Sequence, residues 1–163
     1  MNQSLSKSAK SLQSALKKHG LDCKVVELAS SARTAQDAAN SIGCNIAQIA
    51  KSLIFKTVTT SKPVLVLASG LNKVSEKVIE SYIGEPIVKA DAQFTKDITG
   101  FAIGGIPPIG HKQQIDFIFI DQDLIKLSSF WASAGTSHVV FNVTAKDLLA
   151  VVPGKVINLN IAK

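Results

Sequence analysis

Three short stretches hold residues whose types and spacing could do chemistry. In Ile49-Ala50-Lys51-Ser52-Leu53-Ile54-Phe55-Lys56, a strand beginning near Lys51 would put that lysine on the same face as Leu53 and Phe55. A lysine on an apolar face is costly unless a partner or a bound anion compensates its charge. Lys51 therefore reads either as a substrate-anchoring ammonium or as a strand-end lysine whose head snorkels to water. In Thr99–His111, Gly104 and Gly105 free the backbone to approach a ligand closely, and Pro107 and Pro108 stiffen the chain while lacking N–H groups. Any amide donors there must come from Gly104, Gly105, Ile106, Ile109 or Gly110. A rigid loop of aimed amides suits ester cleavage, in which charge develops on the carbonyl oxygen; a plain tight turn between strands is the other reading. In the third stretch, Trp131–His138, small residues would let a second segment or a substrate come close, unless Gly135-Thr136 is simply a hairpin turn.

Other chemistries find less support. His19, His111 and His138 have neither HxxxH nor His–Cys spacing, which argues against zinc. Ser133 and Ser137 lack the strand–turn–helix setting of a nucleophile elbow, and no signature backs a triad of His111 and Asp116. Gly104–Gly110 lacks the GK[ST] of a phosphate-binding loop. Cys23 and Cys44, the two cysteines, have no CxxC spacing and read as free thiols of a reducing cytoplasm.

The elements that must position these stretches follow from periodicity and caps. Leu5, Ala9, Leu12 and Leu16 recur at helical spacing before Gly20, predicting a helix over residues 4–19. Lys24–Leu28 reads as a strand. Thr34 with Asp37 predicts a helix closed by Gly43, and Asn45 caps a short turn through Ile49. Ser52–Thr59 and Pro63–Ser69 read as a hairpin. Ser75 to Gly84 bounds a helix, Ile87–Lys89 is a short strand, and Asp91 caps a helix to about Asp97. Strands at Ile115–Ile120, Phe130–Trp131 and Val139–Val143, a helix from Thr144, and a strand at Val156–Ile161 complete the chain. The irregular mixing of helices and strands disfavours a doubly wound sheet and predicts an α+β fold with a central mixed β-sheet or barrel flanked by helices.

The 163 residues fit one domain, with no internal repeat or composition break. Apolar runs such as Val64–Ala68 and Phe117–Ile120 have strand length, far short of the roughly 18 residues of a membrane span. The basic N-terminal stretch has no apolar core of the kind a secretory signal needs. A net charge of +6 and a pI near 9.4 favour polyanionic partners, although the lysines are dispersed and Arg33 is the only arginine.

Taken together and in order, these stretches resemble the YbaK / ProX family of prolyl-tRNA-synthetase-associated editing domains. Ile49–Lys56 matches the family's "IAKSLIFK"-like stretch, Gly104-Gly105-Ile106-Pro107-Pro108 its GxxxP loop, Ser69–Ser75 its post-hairpin turn, and Trp131–His138 the "WAAAGTPH" segment of the ProX-like branch. The match spans roughly residues 20–160. It implies a free-standing hydrolase, without cofactor or metal, that cleaves the ester joining a wrong amino acid to tRNA, most often tRNA(Pro). The counterpart of Lys51 holds the terminal nucleotide or the aminoacyl group. The GxxxP loop orients the scissile carbonyl, and a substrate ribose hydroxyl helps to activate water. The resemblance thus assigns catalytic roles to Lys51, Gly104, Gly105 and Pro108. It assigns substrate contacts to Asn72, Ile106, Ile109, Gly110, His111, Gly135, Thr136 and His138. Ile103, Ile106 and Ile109 are expected to set pocket size. Ala134–His138 replaces the GGKRG-like segment of YbaK proteins proper, which points away from cysteine and toward alanine or 2-aminobutyrate. The implied partners are mischarged tRNA and prolyl-tRNA synthetase. A Cys-tRNA(Pro) deacylase, a non-catalytic module binding aminoacyl-tRNA or a synthetase, and a hydrolase of small esters are the alternatives.

Overall fold

The computed structural model describes residues 5–32 and 34–159. Its elements run in the order α1 (Lys7–Lys18), β1 (Val25–Glu27), α2 (Ala35–Ile42), a 3-10 turn (Ile46–Gln48), β2 (Ala50–Thr57), β3 (Pro63–Ser69), α3 (Glu76–Ile83), β4 (Ile87–Lys89), α4 (Ala92–Thr99), β5 (Phe117–Asp121), α5 (Gln122–Ile125), β6 (Ser129–Thr136), β7 (Val139–Thr144), α6 (Ala145–Val151) and β8 (Lys155–Ile157). Helices start where short polar side chains can accept from the orphan N–H groups of a first turn. Thr34 accepts from Asp37 N at 3.0 Å, Asp91 from Phe94 N at 2.8 Å and Thr144 from Asp147 N at 3.1 Å. Asn45 and Gln48 form the reciprocal capping box of the 3-10 turn. Gly43 closes α2 at a φ of +86°, a conformation that any side chain would strain.

The strands form two sheets. One is antiparallel in the order β1-β7-β6; the other is mixed, in the order β4-β2-β3-β5-β8, with β3 parallel to β5 and β5 parallel to β8. The α+β class stands, but the barrel alternative does not. Among the described residues the sheets meet through a single parallel bridge, Ile49 to Trp131, and no further ladder closes them.

Alternation along β3 explains why the five-stranded sheet is central. Leu65 and Leu67 face a core shared with Phe130, Phe141 and Val143 of the other sheet and with Leu16 of α1 and Leu148 of α6. Val64, Val66 and Ala68 face the opposite way, against Ile79 of α3. A strand buried on both faces reads as an unbroken apolar run, as Pro63–Ser69 does. A third cluster joins Ala38 and Ala39 of α2 to Ile49, with Trp131 packed against it.

Several boundaries differ from expectation. The 52–59 strand starts earlier, at Ala50, and ends at Thr57. There the Thr57 hydroxyl accepts from Lys62 N, and Glu85 accepts from Thr59 N and Thr60 N to hold the turn. The hairpin between β6 and β7 turns at Ser137-His138 rather than Gly135-Thr136. The glycine sits instead in an irregularity where Ser133 pairs with Val140 and Thr136 with Val139. The terminal strand is Lys155–Ile157 and stops short of the expected end at Ile161, and the first helix starts at Lys7, after its Ser6 cap, rather than at residue 4; residues 4, 160 and 161 lie outside the described residues. The short helix α5 has no counterpart in the sequence reading; Asp121 caps it by accepting from Asp123 N at 2.9 Å.

Phe141, fully buried in the middle strand of the smaller sheet, anchors the shared core. Phe141→Ala is expected to cost about 3–5 kcal/mol of stability, read from the shift in urea midpoint.

Candidate functional site

A cleft of about 480 Å³ opens where the two sheets meet. One wall is the start of β2, Ala50–Leu53, a stretch that β4 leaves unpaired because their ladder covers only Phe55–Thr57. The facing walls are the first turn of α2, the loop Ile103–Ile106, and Trp131–Ser133 of β6. Most of the lining is apolar, and Lys51 is the one ionisable side chain among the described lining residues. A lone cation between low-dielectric walls interacts more strongly with an anion or a polarised oxygen than it would in water.

Strand alternation puts Lys51 opposite Ala68, on the face that carries Leu53 and Phe55. There it is half-buried, and its Nζ donates to the backbone carbonyl of Asn72 at 2.7 Å. Desolvation by this burial pushes its pKa below the ordinary lysine value; the charge of Asp121 opposes that fall and Lys73 adds to it. No carboxylate lies within ion-pair distance of Lys51 among the described residues, so two of its three N–H donors are free to serve a ligand.

The glycine loop is pinned rather than floppy. Gly105 N donates to Ala102 O at 3.0 Å, and Ser133 Oγ donates to Gly104 O at 3.3 Å. A Cβ on Gly105 would lie 2.8 Å from the Cα of Thr136, so the loop rests directly on the β6 backbone. The N–H groups of Gly104 and Ile106, by contrast, donate to no acceptor among the described residues. On the β2 wall, the buried Ser52 hydroxyl also has no hydrogen-bond partner there. Ser137, on the rim, shares a 2.6 Å hydrogen bond with Ser31.

The structure thus brings together Lys51, Gly104 and Ile106, with Gly105, Gly135 and Thr136 forming the layer beneath. It sends Pro108, Ile109, Gly110 and His111 elsewhere, to a smaller cleft of about 230 Å³ shared with His19. There His111 Nε2 donates to Pro107 O at 2.7 Å, and burial lowers its pKa, with the Pro107 carbonyl opposing and His19 adding to the fall. His111 does not reach toward Asp116, which accepts from Gln114 instead. Of the three isoleucines expected to size the pocket, Ile106 is buried in the main cleft, Ile103 stands 60% exposed at its rim, and Ile109 lines the other cleft. His138 lies in the hairpin turn, its carbonyl accepting from Leu28 N. The Asn72 side chain faces Asp121 and Asp123, and only its carbonyl meets Lys51.

The sequence reading missed the wall supplied by α2 and the Asp121–Asp123 pair. An aspartate ending a strand, with a second two residues on, is a legible capping signal for the latter. Cys23 and Cys44 are free, and burial pushes both thiols up, away from thiolate nucleophiles. Among the described residues no three of His, Cys, Asp and Glu converge where a metal could sit, and no helix is long and apolar enough to cross a membrane.

Comparison with known proteins follows the same lines. The model of the aminoacyl-tRNA editing domain family matches residues 29–151. A solved structure described as a candidate trans-editing enzyme for prolyl tRNA synthetase is 39% identical, with a TM-score of 0.87, covering 96% of this chain and 98% of its own. Proline–tRNA ligase of Limosilactobacillus fermentum is 36% identical over 97 residues, which are 57% of this chain and only 17% of the ligase. The uncharacterized protein YwhH of Bacillus subtilis is 27% identical over 124 residues, 76% of this chain and 78% of its own.

The close seat of Gly105 makes it sensitive to one methyl group. Gly105→Ala is expected to cost about 1–3 kcal/mol through overpacking against Thr136. It should also speed hydrogen exchange at the Gly105 amide, measured in the same samples as the denaturation midpoint.

Proposed function

The chain belongs to the aminoacyl-tRNA editing domain family, and from that premise we propose that its cleft removes a small wrong amino acid, alanine or 2-aminobutyrate, from tRNA(Pro) in trans. The observation that carries this reading is that one apolar cleft is lined by a half-buried ammonium and by two loop residues, Gly104 and Ile106, whose amides have no acceptor among the described residues. Ester hydrolysis puts developing negative charge on the carbonyl oxygen, and fixed donors in a dry site stabilise such charge. In this mechanism Lys51 holds the terminal nucleotide or the acyl carbonyl through its two free N–H donors. The Gly104 and Ile106 amides face the oxyanion. Water attacks the carbonyl carbon, a ribose hydroxyl of the substrate helps to relay its proton to the neighbouring ribose oxygen, and the bond from that oxygen to the carbonyl carbon breaks to release free amino acid and tRNA with both ribose hydroxyls restored.

A synthetase pocket discriminates poorly against a smaller side chain, since one methylene is worth only about 1–3 kcal/mol. A second site that admits only small acyl groups supplies what is missing. Here the walls that limit size are Ile106, Trp131 and the alanines of α2. The similar segment within a proline–tRNA ligase, and the similar free-standing structure described for that synthetase, support prolyl-tRNA synthetase as the partner.

The test is deacylation of tRNA(Pro) charged separately with alanine, 2-aminobutyrate, cysteine and proline. Alanine or 2-aminobutyrate should be released with proline spared, and Lys51→Ala should slow release about 10²–10³-fold, as loss of one oxyanion donor does. Preferential release of cysteine would reassign the substrate, and no release from any of the four would favour a binding module.

The pH dependence has a definite sign. Lys51 is charged below its pKa, and burial lowers that pKa, with Asp121 partly restoring it. Lysine-dependent deacylation, after subtraction of the spontaneous rate, should therefore be complete at neutral pH. On raising the pH it should fall away earlier than an unburied lysine would dictate.

A further inference from the structure

Lys51 is held by a chain of contacts that ends at a buried carboxylate. Its ammonium donates to the carbonyl of Asn72. Asn72 is itself immobilised: its N–H donates to Ser69 O at 2.9 Å, and its side-chain amide donates to Asp121 Oδ2 at 2.7 Å and to Asp123 Oδ2 at 2.8 Å. Both protons of that amide are thereby used. Asp121 is 1% exposed at the end of β5, and it also accepts from Ser69 N and from Asp123 N, each at 2.9 Å. Strand order accounts for the convergence. β3 lies between β2 and β5, so the residue after Ala68, the partner of Lys51, comes beside the residue after Ile120, the neighbour of Leu67.

We propose that Asp121 is the positioning residue for Lys51, clamping the Asn72 carbonyl where the ammonium docks and supplying the opposing charge from behind the strand without touching it. The inference rests on Lys51 being the cation of the cleft. A carboxylate in direct contact would occupy the very donors that a substrate needs; set back behind Asn72, it leaves them free. A buried carboxylate is costly unless hydrogen-bonded, and here three donors converge on it, which suits a part built to stay in place. Among the described residues, the charged groups facing Lys51 are Asp121 from β5 and Lys73 from the turn after β3. Asp123, one step further along the strap, pairs with Lys126 at 3.7 Å.

The experiment uses Asp121→Asn, which keeps shape but removes the charge and sets an amide against donors. The Lys51 side chain is titrated by NMR in ¹³C-lysine-labelled protein, its signal assigned by its absence in Lys51→Ala, and deacylation is measured across pH on the same preparations. The proposal expects the Lys51 midpoint and the alkaline limb of deacylation both to move to lower pH, and kcat/KM at neutral pH to fall about 10–100-fold with the fold intact by circular dichroism. An unchanged Lys51 midpoint in folded Asp121→Asn protein would overturn it. If that variant does not fold, Asn72→Ala cuts the strap while leaving the carboxylate. There kcat/KM should fall at least about tenfold with no downward move of the Lys51 midpoint, and undiminished kcat/KM would overturn the positioning role. The titration needs no substrate, so it decides the Asp121–Lys51 coupling even if none of the four charged tRNAs is cleaved.

Discussion

An ammonium half-buried on the face of a sheet is the constraint around which the rest of this structure is arranged. Taking Lys51 out of water costs free energy that one neutral carbonyl recovers only in part. The residual tension is visible in the direction of its pKa. The fold answers by placing Lys51, the one ionisable side chain among the described lining residues, beside the turn that follows β3, where the buried carboxylate at the end of β5 can oppose its charge. A surface lysine would have needed none of this, and would have given a ligand little beyond what bulk water offers.

The apolar architecture serves the same end. Face-to-face packing of the two sheets buries Leu65, Leu67, Phe130 and Phe141 together and brings β6 alongside the start of β2, on the edge that β4 leaves unpaired. The glycine loop then needs no regular structure of its own. It is seated by the contact of Gly105 with β6 and by the Ser133 hydroxyl, which leaves neighbouring amides uncommitted. Rigidity comes from the scaffold, and open hydrogen-bonding capacity from the loop.

What could be read in the sequence was local. Thr34, Asn45, Ser75, Asp91 and Thr144 declare helix starts because a capping side chain and its first turn are contiguous. The face of Lys51 is equally legible, since period-two alternation along β2 fixes it relative to Leu53 and Phe55. Gly135 misleads because glycine marks bulges as readily as turns. Treating Gly104–His111 as one functional loop fails for a similar reason. The chain there is contiguous, but Pro108–His111 leave the cleft for the side that holds His19. The cap that Asp121 forms with Asp123 is a local signal, but its contacts with Ser69 and Asn72 were out of reach, because those residues lie 52 and 49 positions away and only sheet order brings them together.

The single Ile49–Trp131 bridge has a consequence for how such a site can change. Since the cleft lies along a seam between two sheets, its width is set by how those sheets are spaced, and so by the residues packed between them. Substitutions at buried positions such as Leu67 or Phe141, which line no part of the cleft, can widen or narrow it as a wedge adjusts a vice. The room the cleft offers is then set partly by the core. What the cleft admits can therefore change while every residue lining it stays the same.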